Sequence, residues 1–216
     1  FDGYKANPDF ALACVRAASE AGADSIDLCE TNGGALPHEV EEIVRTVAEA
    51  LPGQQLGIHC HDDSGCAVAN TLAAVRAGAT QVQGTVNGFG ERVGNADLLT
   101  VIADLELKMG CTCVGAENLR QLTGVSQFVA ATCNLSVPTH HPYTGASAFA
   151  HKGGLHASAI ARFPEAYEHA RPESVGNTQR MLVSELAGKA SLVAKAASLG
   201  IDLAAHQDKT QAILDD

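Results

Sequence analysis

The chain has 216 residues, with 14 basic and 25 acidic side chains and a formal charge of −11. No run of about 18 consecutive apolar residues is present, which excludes an encoded membrane-spanning helix, and the acidic balance argues against nucleic acid or an anionic membrane surface as a partner. The length fits one domain of roughly 150 residues plus an appendage, and a start at Phe1 with no initiator Met, basic n-region or signal pattern leads to the expectation of a piece of something longer.

Residues 8–21 read as a helix, with Phe10, Ala13, Cys14, Ala17 and Ala18 on one face and Gly22 ending it. Asp24 to Cys29 reads as a short strand. Pro37 then opens a helix that carries Val40, Ile43, Val44 and Val47 at helical spacing and closes at Pro52-Gly53. A second strand covers Gln55 to Cys60, a small-residue helix covers 64–77, and a third strand covers Gln81 to Val86. A glycine-rich loop and a helix over 95–109 follow. Strands recurring every 25–30 residues, each joined by a helix, are the βα units of a parallel sheet. The second half reads differently: a helix over 116–132, an ordered loop from Pro138 to Gly145, helices over 150–162, 184–198 and 202–214, and no obvious strand. The expected division is 1–115 for the α/β part and 116–216 for a helical subdomain.

Polar, chemically capable residues crowd the C-terminal ends of the strands. Glu30-Thr31-Asn32 follows the first, His59, His61, Asp62 and Asp63 end the second, and Asn87, Glu91, Arg92 and Asn95 follow the third. Parallel α/β folds bind ligands at that edge. An open doubly wound sheet and a (β/α)8 barrel both fit, and a barrel needs about five more strands upstream. His59 and His61 alternate along a strand, so both imidazoles face one side and can reach one metal ion; a hydrogen-bonded histidine pair is the plainer reading. Asn95 suits either a metal site or a helix N-cap, and Glu91-Arg92 reads as an ion pair supporting the loop. His151 and His156 flank a glycine turn, where either could exchange protons near neutrality. The seven cysteines, odd in number and irregularly spaced, fit free thiols in a reducing cytoplasm.

Three ordered motifs add up to a family. Leu56 to Asn70, with His59-Cys60-His61-Asp62-Asp63, resembles the H-x-H-[DN]-D signature of the 2-isopropylmalate, homocitrate and citramalate synthases. Gly88-Phe89-Gly90-Glu91-Arg92-Val93-Gly94-Asn95-Ala96 resembles their G-x-G-E-R-x-G-N-A segment, and His151 to Ala159 resembles their H-x-x-G-x-H-x-x-A. Phe1 to Lys5 and Leu182 to Lys189 resemble the citramalate-synthase branch.

The resemblance implies the last three strands of a metallolyase-like TIM barrel, followed by helical subdomains. It implies that His59, His61 and Asn95 bind a divalent metal (Zn, Mg or Mn), that Thr31 contacts the carboxylate of a 2-oxo acid beside Glu30 where Asp is usual, and that His156 and Tyr167 belong to the acid–base machinery near the thioester. The implied reaction is a Claisen condensation of acetyl-CoA with pyruvate to (R)-citramalate and CoA, on the route to isoleucine, in a cytoplasmic homodimer. Another 2-oxo acid is the near alternative, and a fragment inactive by itself is the alternative of a different class. A related lyase would carry a reactive Cys where Glu91-Arg92 stand.

Overall fold

The computed structural model describes residues 1–151 and 167–181, together with Ala159, Phe163, Ala196, Gly200 and Ile201. The expected helices over 184–198 and 202–214, most of the one over 150–162, and His156 lie outside the described residues. The chain divides into two compact units, Phe1–Cys113 and Val114–Asp216.

In the first unit, helix α1 (Asp2–Ala6) and helix α2 (Pro8–Glu20) precede strand β1 (Ser25–Glu30). Pro8 fills the first helical position of α2, and the Asn7 side chain accepts from Phe10 N–H at 3.1 Å, so the turn between them is capped as well as bent. Helix α3 (Pro37–Ala50) buries Val40, Ile43, Val44 and Val47, the apolar stripe visible in its sequence. Strand β2 (Gln55–Cys60), helix α4 (Ala67–Arg76), strand β3 (Gln81–Gln83) and helix α5 (Leu98–Leu107) complete the unit. The three strands form a parallel sheet in the order β1-β2-β3, with Leu28 beside Ile58 and Ile58 beside Val82. Ile26, Leu28, Leu56, Ile58 and Cys60 point to one face, where they join Val40, Val44, Val47, Ala74, Val101 and Leu105 in the core. Because strand side chains alternate, Gly57, His59 and His61 fall on the opposite face.

The boundaries of β3 and α5 differ from the sequence reading, for one reason. Strand β3 stops at Gln83, not at Val86, and α5 starts at Leu98, not near 95. The intervening backbone is spent on sheet-like pairing: Ala96 N–H donates to Cys60 O at 2.9 Å, Thr85 N–H to Ala96 O at 3.0 Å, and Leu98 N–H to Thr85 O at 2.9 Å. His61 pairs with Asn95, and Thr85 with Asp97, as isolated bridges. Residues 95–97 are thus held in extended, sheet-like pairing, and the helix begins only after them. Helix α4 likewise starts later than expected, at Ala67, with Asp62 Oδ1 accepting from its N–H at 2.8 Å.

In the second unit, helices α6 (Ala116–Leu119) and α7 (Leu122–Thr132) replace the single expected helix, broken at Arg120-Gln121. Gly176, with φ +72°, lies against Arg120 O where a side chain would collide. Two short strands, β4 (Ala150–His151) and β5 (Arg180–Met181), pair in parallel in a half that was expected to hold none. Tyr143 and Phe149 pack around the His169 ring at centroid distances of 5.1 and 6.0 Å.

Candidate functional site

The pairing of 95–97 with the sheet does more than shorten a helix. It carries Asn95 sideways to the end of β2. Asn95 N–H donates to Gly88 O at 3.0 Å, and its side-chain Nδ2 lies 3.1 Å from His59 Nε2. The His59 and His61 rings meet edge to face with centroids 5.4 Å apart. Gly90 makes room for this arrangement, since a side chain there would strike the Asn95 amide. Two imidazoles and an amide, drawn from β2 and from the loop after β3, therefore share one corner of the sheet's C-terminal edge.

His61 is buried, and its Nδ1 has no hydrogen-bond partner among the described residues. A buried ring nitrogen left unsatisfied carries a desolvation cost of about 1–3 kcal/mol, and a cation would remove it. With its amide turned so that Oδ1 rather than Nδ2 faces His59, Asn95 would complete a set of two imidazole nitrogens and one amide oxygen, which borderline divalent cations accept and which leaves coordination positions open for a ligand. The residues therefore fit a divalent metal. Among the described residues no group of three His, Cys, Asp or Glu side chains that could hold a metal ion is present, so Asn95 is the candidate third donor beside the two histidines.

The loops around that corner are tied by charge. Arg92 Nε donates to Asp63 Oδ1 at 2.7 Å and Nη2 to Asp63 Oδ2 at 2.7 Å, while Nη2 also reaches Thr31 O at 2.6 Å. Glu91, expected as the partner of Arg92, is 3.9 Å away and largely exposed. The Arg92 guanidinium holds the Asp63 carboxyl below the usual carboxylate range. Thr31 N–H donates to Asp2 Oδ2 at 2.8 Å. Asp62 N–H donates to Gly94 O at 3.0 Å, which joins the loops after β2 and β3 a second time.

Beneath the site Glu30 is almost fully buried. Burial pushes its carboxyl above the ordinary carboxylate range, and Oε1 accepts from Ala35 N–H at 3.4 Å while Oε2 has no hydrogen-bond partner among the described residues. Asn70, also buried, donates to Ala35 O at 2.9 Å, so the β1 loop is anchored from below as well.

In the second unit Tyr167 is half exposed. His151 Nε2 stands 3.5 Å from Glu168 Oε1, which accepts from Gln179 Nε2 at 2.6 Å. Sequence reasoning picked out His59, His61, Asn95, Thr31, Glu91 and Arg92, but assigned nothing to Asp2. A separation of 29 residues between Asp2 and Thr31 leaves no local signal to find.

The comparisons extend this picture. The HMGL-like family model matches residues 2–129, and a model described as homocitrate synthase post-HMGL domain-like matches residues 143–215. The chain is 58% identical over 208 residues to the (R)-citramalate synthase of Streptomyces coelicolor, covering 96% of this chain and 39% of that protein. It is 54% identical to the (R)-citramalate synthase of Geobacter sulfurreducens, covering 100% of this chain and 40% of that one. The crystal structure of Bacillus subtilis HMG-CoA lyase superposes with a TM-score of 0.53 at 25% identity, covering 59% of this chain and 44% of that chain. The chain thus spans about two fifths of the length of these curated relatives.

Proposed function

Since the chain belongs to the HMGL-like family, we propose that it forms part of an acyltransferase that condenses acetyl-CoA with pyruvate, with water, to give (R)-citramalate and CoA. The observation that carries the reading is the convergence of His59, His61 and Asn95 on one corner of the sheet edge. The choice of 2-oxo acid follows the relatives: 58% identity to an (R)-citramalate synthase, against 34% to the homocitrate synthase of Sulfurisphaera tokodaii.

His59, His61 and Asn95 would hold a divalent cation, zinc, magnesium or manganese. When bound, it supplies Lewis-acid polarisation of the substrate carbonyl. The chain's own residues then orient the acid. Thr31, at the mouth of β1, offers a hydroxyl to the 2-oxo acid carboxylate. Arg92 spans the loops after β1, β2 and β3, so the Thr31 loop and the histidine strand keep a fixed separation, as productive placement of a substrate requires. His156 and Tyr167 serve proton transfer near the thioester in the second unit. We place the whole enzyme in the cytoplasm, as a homodimer, on the route to isoleucine; no helix among the described residues is long and apolar enough to cross a membrane.

The test is release of free CoA by the full-length protein with a panel of 2-oxo acids. Pyruvate gives the highest kcat/KM. A higher value for 2-oxoisovalerate or 2-oxoglutarate overturns the substrate assignment.

A further inference from the structure

Thr31 is gripped through its backbone on both sides of its α-carbon by charged side chains from elsewhere in the chain. Its N–H donates to Asp2 Oδ2 at 2.8 Å, an oxygen that also accepts from Asn32 N–H at 3.1 Å. Its carbonyl accepts from Arg92 Nη2 at 2.6 Å. The guanidinium is itself oriented by the two-pronged pair with Asp63, both contacts at 2.7 Å. Asp2 sits in α1, Asp63 in the loop after β2 and Arg92 in the loop after β3, so three distant segments meet at one residue of the β1 loop.

We propose that Asp2, Asp63 and Arg92 form a charged clamp that positions Thr31 to receive the substrate carboxylate. The inference rests on the reading of Thr31 given under Proposed function. These are positioning residues: the clamp acts through the Thr31 backbone, and the charge of Arg92 is taken up by Asp63 rather than offered to substrate.

The chemistry of the parts supports the assignment. Only a planar guanidinium presents parallel N–H groups to a carboxylate while keeping a further N–H for a carbonyl; an ammonium is a point donor. Arg92 adopts φ +57°, a left-handed conformation that costs a side-chain-bearing residue about 1–2 kcal/mol. Glycine would suit that turn better, so the side chain, not the turn, accounts for an arginine there. Gly33, at φ +73°, leaves the space that the Asp63 carboxylate fills; a side chain at that position would collide with it.

Steady-state kinetics of the full-length protein test the clamp, with pyruvate or whichever 2-oxo acid the panel ranks first. Arg92→Gly, Arg92→Lys and Asp2→Asn are compared with Thr31→Val. Each clamp variant raises the KM for the 2-oxo acid about tenfold or more, the size expected for losing a charge-assisted hydrogen bond. The KM for acetyl-CoA stays within about twofold, which separates lost positioning from general damage. Arg92→Gly added to Thr31→Val gives no further rise, because both act through one residue. Arg92→Gly is the sharpest variant, since it relaxes the turn while removing the guanidinium; wild-type KM values for it overturn the clamp. Asp2→Asn is nearly isosteric and keeps the test available if an Arg92 variant fails to fold. If Thr31→Val raises the 2-oxo acid KM and no clamp variant does, the clamp is overturned and the reading of Thr31 stands. An unchanged KM for Thr31→Val overturns both.

Discussion

Cys60 lies between two histidines that face the opposite side of the same strand, and its environment is governed by that alternation. It is buried against the helices, and desolvation pushes its thiol up to about 12. The thiolate is the nucleophilic form, so at pH 8–9, around the ordinary thiol value of about 8.5, Cys60 remains a protonated thiol shielded from reagent. Maleimide or iodoacetamide labelling of the native full-length protein, read by peptide mass spectrometry, should modify Cys133 well before Cys60; early modification of Cys60 contradicts its placement. The same alternation made His59 and His61 legible as a pair, because i and i+2 on a strand share a face. Their third partner was legible only as a residue type in a glycine loop. Asn95 could equally have capped a helix, and what decides against it is the bond from Ala96 N–H to Cys60 O, a contact 36 residues apart in sequence. Asp2 and Asp63 were invisible as partners for the same reason: their targets are set by how the loops meet, not by spacing.

At the scale of elements, periodicity located every helix and strand of the first unit except α1. Strong apolar stripes and Pro or Gly punctuation set α2, α3 and β2 to within a residue or two. The errors gather around β3 and α5, where the chain alternates between sheet pairing and turns and no periodic pattern exists to read. The N-cap of α5 is Asp97, whose carboxylate accepts from Leu99 N–H at 3.3 Å and Thr100 N–H at 3.1 Å. Removing an N-cap of this kind costs about 0.5–2 kcal/mol. Asp97→Ala should therefore lower the unfolding free energy from denaturant titration by that amount, and Asp97→Asn by clearly less, because Asn is an equally good cap. Equal losses for the two would mean that the charge, rather than the capping geometry, holds α5 in place. In the second unit, helical spacing across Arg120 concealed a break whose Arg120 carbonyl lies against a glycine 56 residues downstream, and strands of two residues are too short to show any alternation.

For the whole molecule, the arrangement of three βα units places every candidate residue of the first unit at one edge of one sheet. That edge was readable from sequence because each loop carried its own cluster of polar residues, and the three clusters agreed. The division into Phe1–Cys113 and Val114–Asp216 puts His59, His61, Asn95 and Thr31 in one unit and Tyr167 in the other. The chain spans about two fifths of the length of its curated relatives. In the proposed function, His59, His61 and Asn95 hold the cation on which condensation depends. The most direct measurement is the metal content of purified full-length protein, by elemental analysis, alongside CoA release with acetyl-CoA and pyruvate, for wild type, His59→Ala and Asn95→Ala. The variants should retain the native circular dichroism spectrum, lose bound divalent metal and lose turnover together, and chelation of wild type followed by metal return should restore activity. Full metal occupancy in a folded His59→Ala protein, or undiminished CoA release by either variant, would contradict it.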